Sequence, residues 1–506
     1  MLSQNAQFAV DQAAKYPGSE MAVLPEWYDS ARKDFDHYLA HHTPLKHPLL
    51  DIQKNSVAHA VASKYTAIFD DMGSGKTAQA LAISVLGGHQ HTMIVCPNFL
   101  KDNWIHEIKK FTDTPLSQIF IGKGQDLVRL PSTLTTNFKF FIFNYEAGPV
   151  AIKTPEIFPP ALKACSHLIF DEVHAIKNAL TKVYQSWFYF LSQKPPNQLT
   201  MLSGTPFDRY IGELYAYFQL LDLNPSVDGN PFTTTYPNIC HWEQRFAKPR
   251  GSGDSYFSYI PSELPIVRNI FGRRPVRRDI LDVVELPPLK NQEIELPNHL
   301  FDGAKMQELQ DKFQKALALM HTSEKRKLTE KEMGSMGAIQ NIRVDISHRK
   351  VPYTSQMTEK YIQAYGPVVV FFEFIKPMEQ FIDGFKKKGY QAEMIHSKVN
   401  ENDQRIILDR FKEKELHVIA ATFGTLAEGV NLQVSNTVIF NDLPWRPLLV
   451  SQAERRVWRI GQNRPCFQVS MFCSVDIFIR RNIYMKTEYI EDLYGILKHI
   501  KQQQKF

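Results

Sequence analysis

From about residue 48 onward, short continuous apolar runs recur along the chain, each followed by turn residues or by apolar positions at helical spacing. Unbroken apolar runs are what strands covered on both faces require, so the pattern predicts parallel sheets flanked by helices. Tyr65–Phe69, Thr92–Pro97, Phe138–Tyr145, Ser166–Glu172 and Gln198–Gly204 read as strands, and Lys76–Leu86 as a helix. The rhythm breaks in the middle of the chain. Residues 207–265 hold aromatic-rich helical patterns, and residues 300–350 read as mainly helical and charged, Lys305–Met320 being the clearest amphipathic stretch. Alternation returns with a strand inside 365–374, followed by strands in "YQAEMIHS", "LHVIAAT", "NTVIFND" and "CFQVSMFCS". The fold class read from this order is α/β, two parallel-sheet lobes with helical insertions between them.

Composition narrows the picture by exclusion. The 506 residues, 43% apolar and 22% charged, are long enough for about three or four units and close to ordinary globular usage. A disordered, collagen-like or disulfide-stapled chain is excluded. The five cysteines are odd in number and form no C-x-x-C pair, which argues against a zinc knuckle and for a reducing compartment. No apolar run approaches the roughly 18 residues of a membrane span, and the N-terminus lacks a signal-peptide layout. A soluble intracellular protein with no membrane partner is the expectation. The net charge of +6 permits nucleic-acid binding without arguing for it.

Candidate chemistry begins at Asp70-Asp71-Met72-Gly73-Ser74-Gly75-Lys76-Thr77, set between a strand and a helix. Gly73, Ser74 and Gly75 let backbone N–H groups curl around phosphate oxygens at a helix N-terminus. Lys76 then reaches the terminal phosphates, and the Thr77 hydroxyl ligates Mg²⁺. Asp70 stands where the general pattern has its first glycine, so the match rests on the last five residues. A second signal is "HLIFDEVH" (167–174), an apolar strand ending in two acids. Asp171 is placed to hold Mg²⁺ and Glu172 to polarise an attacking water. Alone it more commonly describes a solvated strand end; paired with a phosphate loop on one sheet it becomes a strong signal. His174 is a candidate link to the next strand. The third signal is "QAERRVWRIGQ" (452–462), where Arg455, Arg456 and Arg459 fall on a predicted helix, as charge-stabilising fingers or as a basic solvated face.

Together these features resemble the motif set of superfamily 2 helicases and translocases, specifically the Snf2 family, over about residues 48–475. The resemblance implies two RecA-like lobes, and with them a division of the chain. It places an N-terminal extension at 1–45 and a first, ATP-binding lobe at 46–290 with a helical insertion at about 207–270. A helical linker follows at 291–362 and a second lobe at 363–506. Gln53 looks like the family's adenine-reading glutamine. "IVCPNFLKDNWIHEIKKF" resembles motif Ia, "FNYE" motif Ib, and "SGTPFDRYIGELYAYFQLLDLNP" motif III, which implies that Ser203 and Thr205 couple hydrolysis to lobe movement. "HSKVNENDQRIILDRF" and "TFGTLAEGVNL" resemble motifs IV to V, with an extra residue before Gly429 that leaves Thr422 and Thr425 both open for a phosphate contact. In motif VI, Gln452 is a coupling candidate, and register assigns Arg456 and Arg459 as the fingers.

The same resemblance implies ATP and Mg²⁺ as cofactors, and double-stranded or branched DNA as the partner of a monomeric motor. The nearest subgroup remodels branched DNA, which implies a role in replication, recombination or repair; clearing proteins from DNA, or a nucleotide-switched binding protein, are the alternatives. Phosphate contacts are expected from Pro97, Asn98, Lys101, Asn144 and Tyr145 in the first lobe, and from Ser397, Thr422 and Thr425 in the second. The cluster Arg268, Arg273, Arg274, Arg277 and Arg278 is open between DNA contact, inter-lobe bracing and a solvated linker. Trp104 and Trp445 read as packing residues. A cytoplasmic motor of bacterial, phage or viral type is expected, or a nuclear one if eukaryotic.

Overall fold

The apolar runs fold as strands because, with helices on both faces of a parallel sheet, none of their side chains has a wet side. The computed structural model describes residues 45–480 apart from 131, 154–157, 208–210, 224–230, 248–258, 264–265, 268–274, 279, 283–284, 298–310, 312–329, 427–429, 445, 474–475 and 477–479. Arg268, Arg273, Arg274, Gly429, Trp445, the 1–44 segment and nearly all of the Lys305–Met320 stretch therefore lie outside the described residues. No helix among those described is long and apolar enough to cross a membrane.

The first lobe carries β1 (Tyr65–Ile68), β2 (Thr92–Val95), β3 (Ile119–Ile121), β4 (Phe140–Phe143), β5 (His167–Asp171), β6 (Gln198–Leu202) and β7 (Pro275–Val276). They form one parallel sheet in the order β3-β4-β2-β5-β6-β1-β7. Every residue of β1, β2, β4, β5 and β6 is buried. The flanking helices include α1 (Asp51–Ser63), α2 (Lys76–Leu86), α3 (Lys101–Phe111), α4 (Lys182–Gln193), α5 (Glu213–Asp222) and α6 (Ile239–Phe246). On α3 the buried residues Trp104, Ile108 and Phe111 follow helical spacing and join the core shared with α2 and β2. Beyond the sheet, Tyr215, Phe218, Phe232, Tyr236, Trp242 and Phe246 pack on one another, the aromatic stretch foreseen from the sequence.

The second lobe has its own parallel sheet, in the order β10-β11-β9-β12-β13-β8. Its strands are β8 (Leu289–Glu295), β9 (Val368–Phe372), β10 (Ala392–Ile395), β11 (Val418–Thr422), β12 (Thr437–Phe440) and β13 (Cys466–Phe472). With them go α7 (Glu330–Tyr365), α8 (Ile375–Lys387), α9 (Glu401–Lys412) and α10 (Pro447–Glu454). The structure draws the domain boundary earlier than the sequence did. Leu289–Glu295 is an edge strand of the second unit's sheet, not the end of the first lobe or a helical linker. α7 likewise belongs to the second core: Ser347 donates to Asp442, Thr354 to Asn441, and buried Lys350 is paired with Asp476.

Candidate functional site

In the first lobe, β1, β6 and β5 are adjacent, and the three motif loops leave their C-terminal ends. That edge of a parallel sheet is where side chains and helix N-termini converge on a ligand. The phosphate loop follows β1. Gly73 and Gly75 have φ of 78° and 79°, a region that glycine enters without steric cost. Gly75 is doubly required, because a Cβ there would collide with Gln53 Nε2. Gln53 Nε2 donates to Ser74 O at 2.8 Å, while Gln53 Oε1 accepts from Leu50 N at 2.9 Å. The side chain expected to read adenine thus buttresses the phosphate loop from α1. Ser74 Oγ, within the phosphate loop, is buried without a hydrogen-bond partner among the described residues.

Lys76 folds back on its own loop, donating to Asp70 O at 2.9 Å and Asp71 O at 3.0 Å. Burial lowers its pKa, opposed by the carboxylates of Glu172, Asp70 and Asp71. Asp171 ends β5, and Glu172 follows it in the turn. Burial, followed by the adjacent Glu172 charge, raises the Asp171 pKa, while a hydrogen bond from Trp104 and the charge of Lys76 pull it down. Two neighbouring carboxylates under desolvation favour a cation. The oxygen donors present, the Thr77 hydroxyl and the Asp171 carboxylate, suit Mg²⁺, which is usually held by few protein ligands plus phosphate oxygens. No cluster of three or more His, Cys, Asp or Glu side chains able to hold a metal occurs among the described residues.

His174 stands between the second and third motifs. Its Nδ1 lies 3.2 Å from Glu172 Oε2 and 3.2 Å from Ser203 Oγ, and Ser203 Oγ accepts from Thr205 N at 3.1 Å. Gly204 comes so close to the phosphate loop that a Cβ there would strike Met72. Lys177, just past the second motif, pairs with buried Glu213 on α5 at 3.1 Å, a link the sequence reading missed.

Arg277 and Arg278 are neither surface contacts nor solvated. Arg277 is buried and its Nη1 donates to Phe69 O at 2.6 Å and Gly204 O at 2.8 Å, tying the end of β1 to the third motif. Arg278 Nε donates to Asp70 Oδ1 at 3.0 Å, and its Nη2 reaches Asp70 Oδ2 and Ser56. Asp70, where the general pattern has glycine, is therefore the buried acceptor of this arginine. The pair is brought there by β7, which adds to the sheet beside β1.

The expected DNA contacts divide. Asn98 and Ser397 are exposed, and Pro97 is half-buried. Lys101 is turned inward, its Nζ donating to Gly122 O at 2.9 Å, and Tyr145 is buried with its hydroxyl on Asp171 O at 2.8 Å. Neither presents its polar group to solvent: Lys101 at the start of α3 and Tyr145 in the turn after β4 are both directed at the core. Asn144 lies beside them, donating to Glu146 at 2.7 Å. In the second lobe, Thr422 and Thr425 share a hydrogen bond of 2.8 Å, so both lie at one spot. The arginines of the sixth motif follow a helix rather than lying on it: α10 ends at Glu454, and 455–460 form turns and bends. Arg455 stacks over Trp458 at 4.4 Å. Arg456 is buried, its Nη1 3.5 Å from Val430 O, Arg459 is half-buried, and Gln452 is buried on α10.

A profile of the SNF2-related domain matches residues 53–345, more than half of the chain, and one of the helicase conserved C-terminal domain matches residues 353–461. The chain belongs to the SNF2-related family. Chromodomain-helicase-DNA-binding protein 1-like of Mus musculus is 23% identical over 426 residues, covering 78% of this chain and 44% of that protein. The SWI/SNF-related matrix-associated actin-dependent regulator of chromatin subfamily A-like protein 1 of Drosophila melanogaster is 24% identical over 439 residues, covering 83% of this chain and 52% of that one. This member of the SNF2-related family thus spans about half or less of the length of these relatives. Among solved structures, the Sulfolobus solfataricus SWI2/SNF2 ATPase core in complex with dsDNA is similar at a TM-score of 0.40 and 17% identity, over 90% of this chain and 98% of that one.

Proposed function

We propose that the chain is a DNA-stimulated ATPase that moves along duplex DNA and remodels branched or forked DNA in replication, recombination or repair. The observation that carries the ATPase reading is the convergence of the phosphate loop, the Asp171–Glu172 pair and the Ser203 loop on one edge of one sheet. Family membership supports DNA as the track, and the resemblance of "QAERRVWRIGQ" supports branched DNA. Gln53 and the glycines shape the loop that takes the phosphates, and Lys76 exchanges its carbonyl partners for phosphate oxygens. Thr77 and Asp171 would hold Mg²⁺, which neutralises phosphate charge when bound. Glu172 orients and polarises the attacking water, fixed by His174. The His174–Ser203–Thr205 chain relays the change at Glu172 to the third motif. Arg456 and Arg459 supply charge to the departing phosphate. ATPase rates with duplex, single-stranded, forked and four-way DNA and with RNA, in one salt condition, test the reading. Duplex or branched DNA is expected to activate most; single-stranded RNA as the best activator would overturn it.

A further inference from the structure

Trp104 reads from the sequence as packing, and its ring is indeed fully buried on α3. Its Nε1–H, however, donates to Asp171 Oδ2 at 2.8 Å. Asp171 is gripped from two other sides: Oδ1 accepts from Glu172 N at 3.0 Å, and its backbone carbonyl accepts from the Tyr145 hydroxyl at 2.8 Å. Tyr145 is itself held, its carbonyl accepting from Trp187 Nε1 at 2.9 Å and its ring stacked on Phe170 with centroids 5.9 Å apart.

A buried indole N–H needs an acceptor, and a backbone carbonyl would satisfy it. Here the acceptor is a carboxylate oxygen of the residue assigned to the cation. Donors on both oxygens stop the carboxylate from turning about its Cβ–Cγ bond and so aim its remaining lone pairs. Partners of this kind set the orientation of metal ligands. α3 begins just after the exposed Asn98 turn, so the seating of that helix and the aim of the carboxylate move together.

We propose that Trp104 is a positioning residue for Asp171, its N–H setting the orientation in which the carboxylate receives the Mg²⁺ of a bound nucleotide. The inference rests on the assignment of Asp171 to the cation. The test uses the full chain and its W104F variant, which keeps an aromatic ring and loses the N–H. ADP binding is measured by calorimetry across a series of MgCl₂ concentrations, with EDTA as the zero point. W104F is expected to raise the half-saturating Mg²⁺ concentration about tenfold or more, the range for losing an outer partner of a metal ligand. ADP affinity in EDTA should stay within about twofold of wild type, which a general loosening of the core would not allow. W104L, which also removes the N–H while keeping an apolar side chain, should shift the Mg²⁺ requirement in the same direction, and it carries the test if W104F does not fold. A wild-type Mg²⁺ requirement in the folded variant overturns the positioning role and leaves the cation assignment standing. Wild-type ADP binding that is indifferent to Mg²⁺ overturns both.

Discussion

Glu172 sits at φ 51° and ψ 51°, a left-handed conformation that costs a non-glycine residue about 1–2 kcal/mol. The strain is offset by what the conformation achieves: β5 stops, and the carboxylate turns to His174 and stands beside the Ser203 hydroxyl. An E172Q variant keeps the shape and removes the base. It should bind ATP with Mg²⁺ as the wild type does and turn over at least about 10²-fold more slowly, within the usual range for a general base. Single-turnover rates with nucleotide binding measured alongside decide it, and a rate within threefold of wild type would remove Glu172 from the chemistry. At this scale the candidate residues were legible in the sequence because residue type and spacing mark them. Side-chain direction was not. Lys101 and Tyr145 occupy motif positions associated with DNA, yet the start of α3 and the turn after β4 point them inward, and only the packed structure reveals Gly122 O and Asp171 O as their acceptors.

Among the elements, central strands announced themselves, whereas of the four edge strands only β10, in "YQAEMIHS", did. Phe140–Phe143 and Val368–Phe372 are unbroken apolar runs because both of their faces are covered. Ile119–Ile121 has three residues, Pro275–Val276 two, and Leu289–Glu295 is largely polar, since an edge strand needs less apolar cover. Missing β7 meant misplacing Arg277 and Arg278, which arrive at the phosphate loop on that strand. Asp70 is 1% exposed and Arg278 12%, so removing one partner leaves a buried charge. R278A should therefore destabilise the first lobe by about 3–5 kcal/mol, and the R278A/D70A double variant should recover part of that loss. Urea unfolding followed by circular dichroism tests this, and a double variant less stable than R278A would contradict it.

Taken as a whole molecule, the proposed machinery is divided between two lobes that each bury a separate core. The phosphate loop, Glu172 and the His174–Ser203 link belong to the first, while Arg456 and Arg459 belong to the second. The surplus of +6 said little about this arrangement, because placement of arginines matters more than their number. Of the three arginines after α10, Arg455 is engaged with the Trp458 ring, and Arg456 is buried with Nη1 directed at Val430 O. Arg459 is half-buried, its carbonyl accepting from Gln462 N and so tying its backbone to the turn. The register of the motif makes both Arg456 and Arg459 finger candidates, and substitution of each separately tells them apart. R459A is expected to lower DNA-stimulated turnover about 10³-fold or more. Nucleotide affinity of the first lobe should change little, because nothing in the loop that grips the phosphates is touched. R455A, which removes a stacking contact and no finger, should reduce turnover far less. Steady-state rates with saturating duplex DNA, set beside ADP affinity, separate the cases. A fall of less than tenfold for R459A would transfer the role to Arg456, whose burial would then have to be relieved during the cycle.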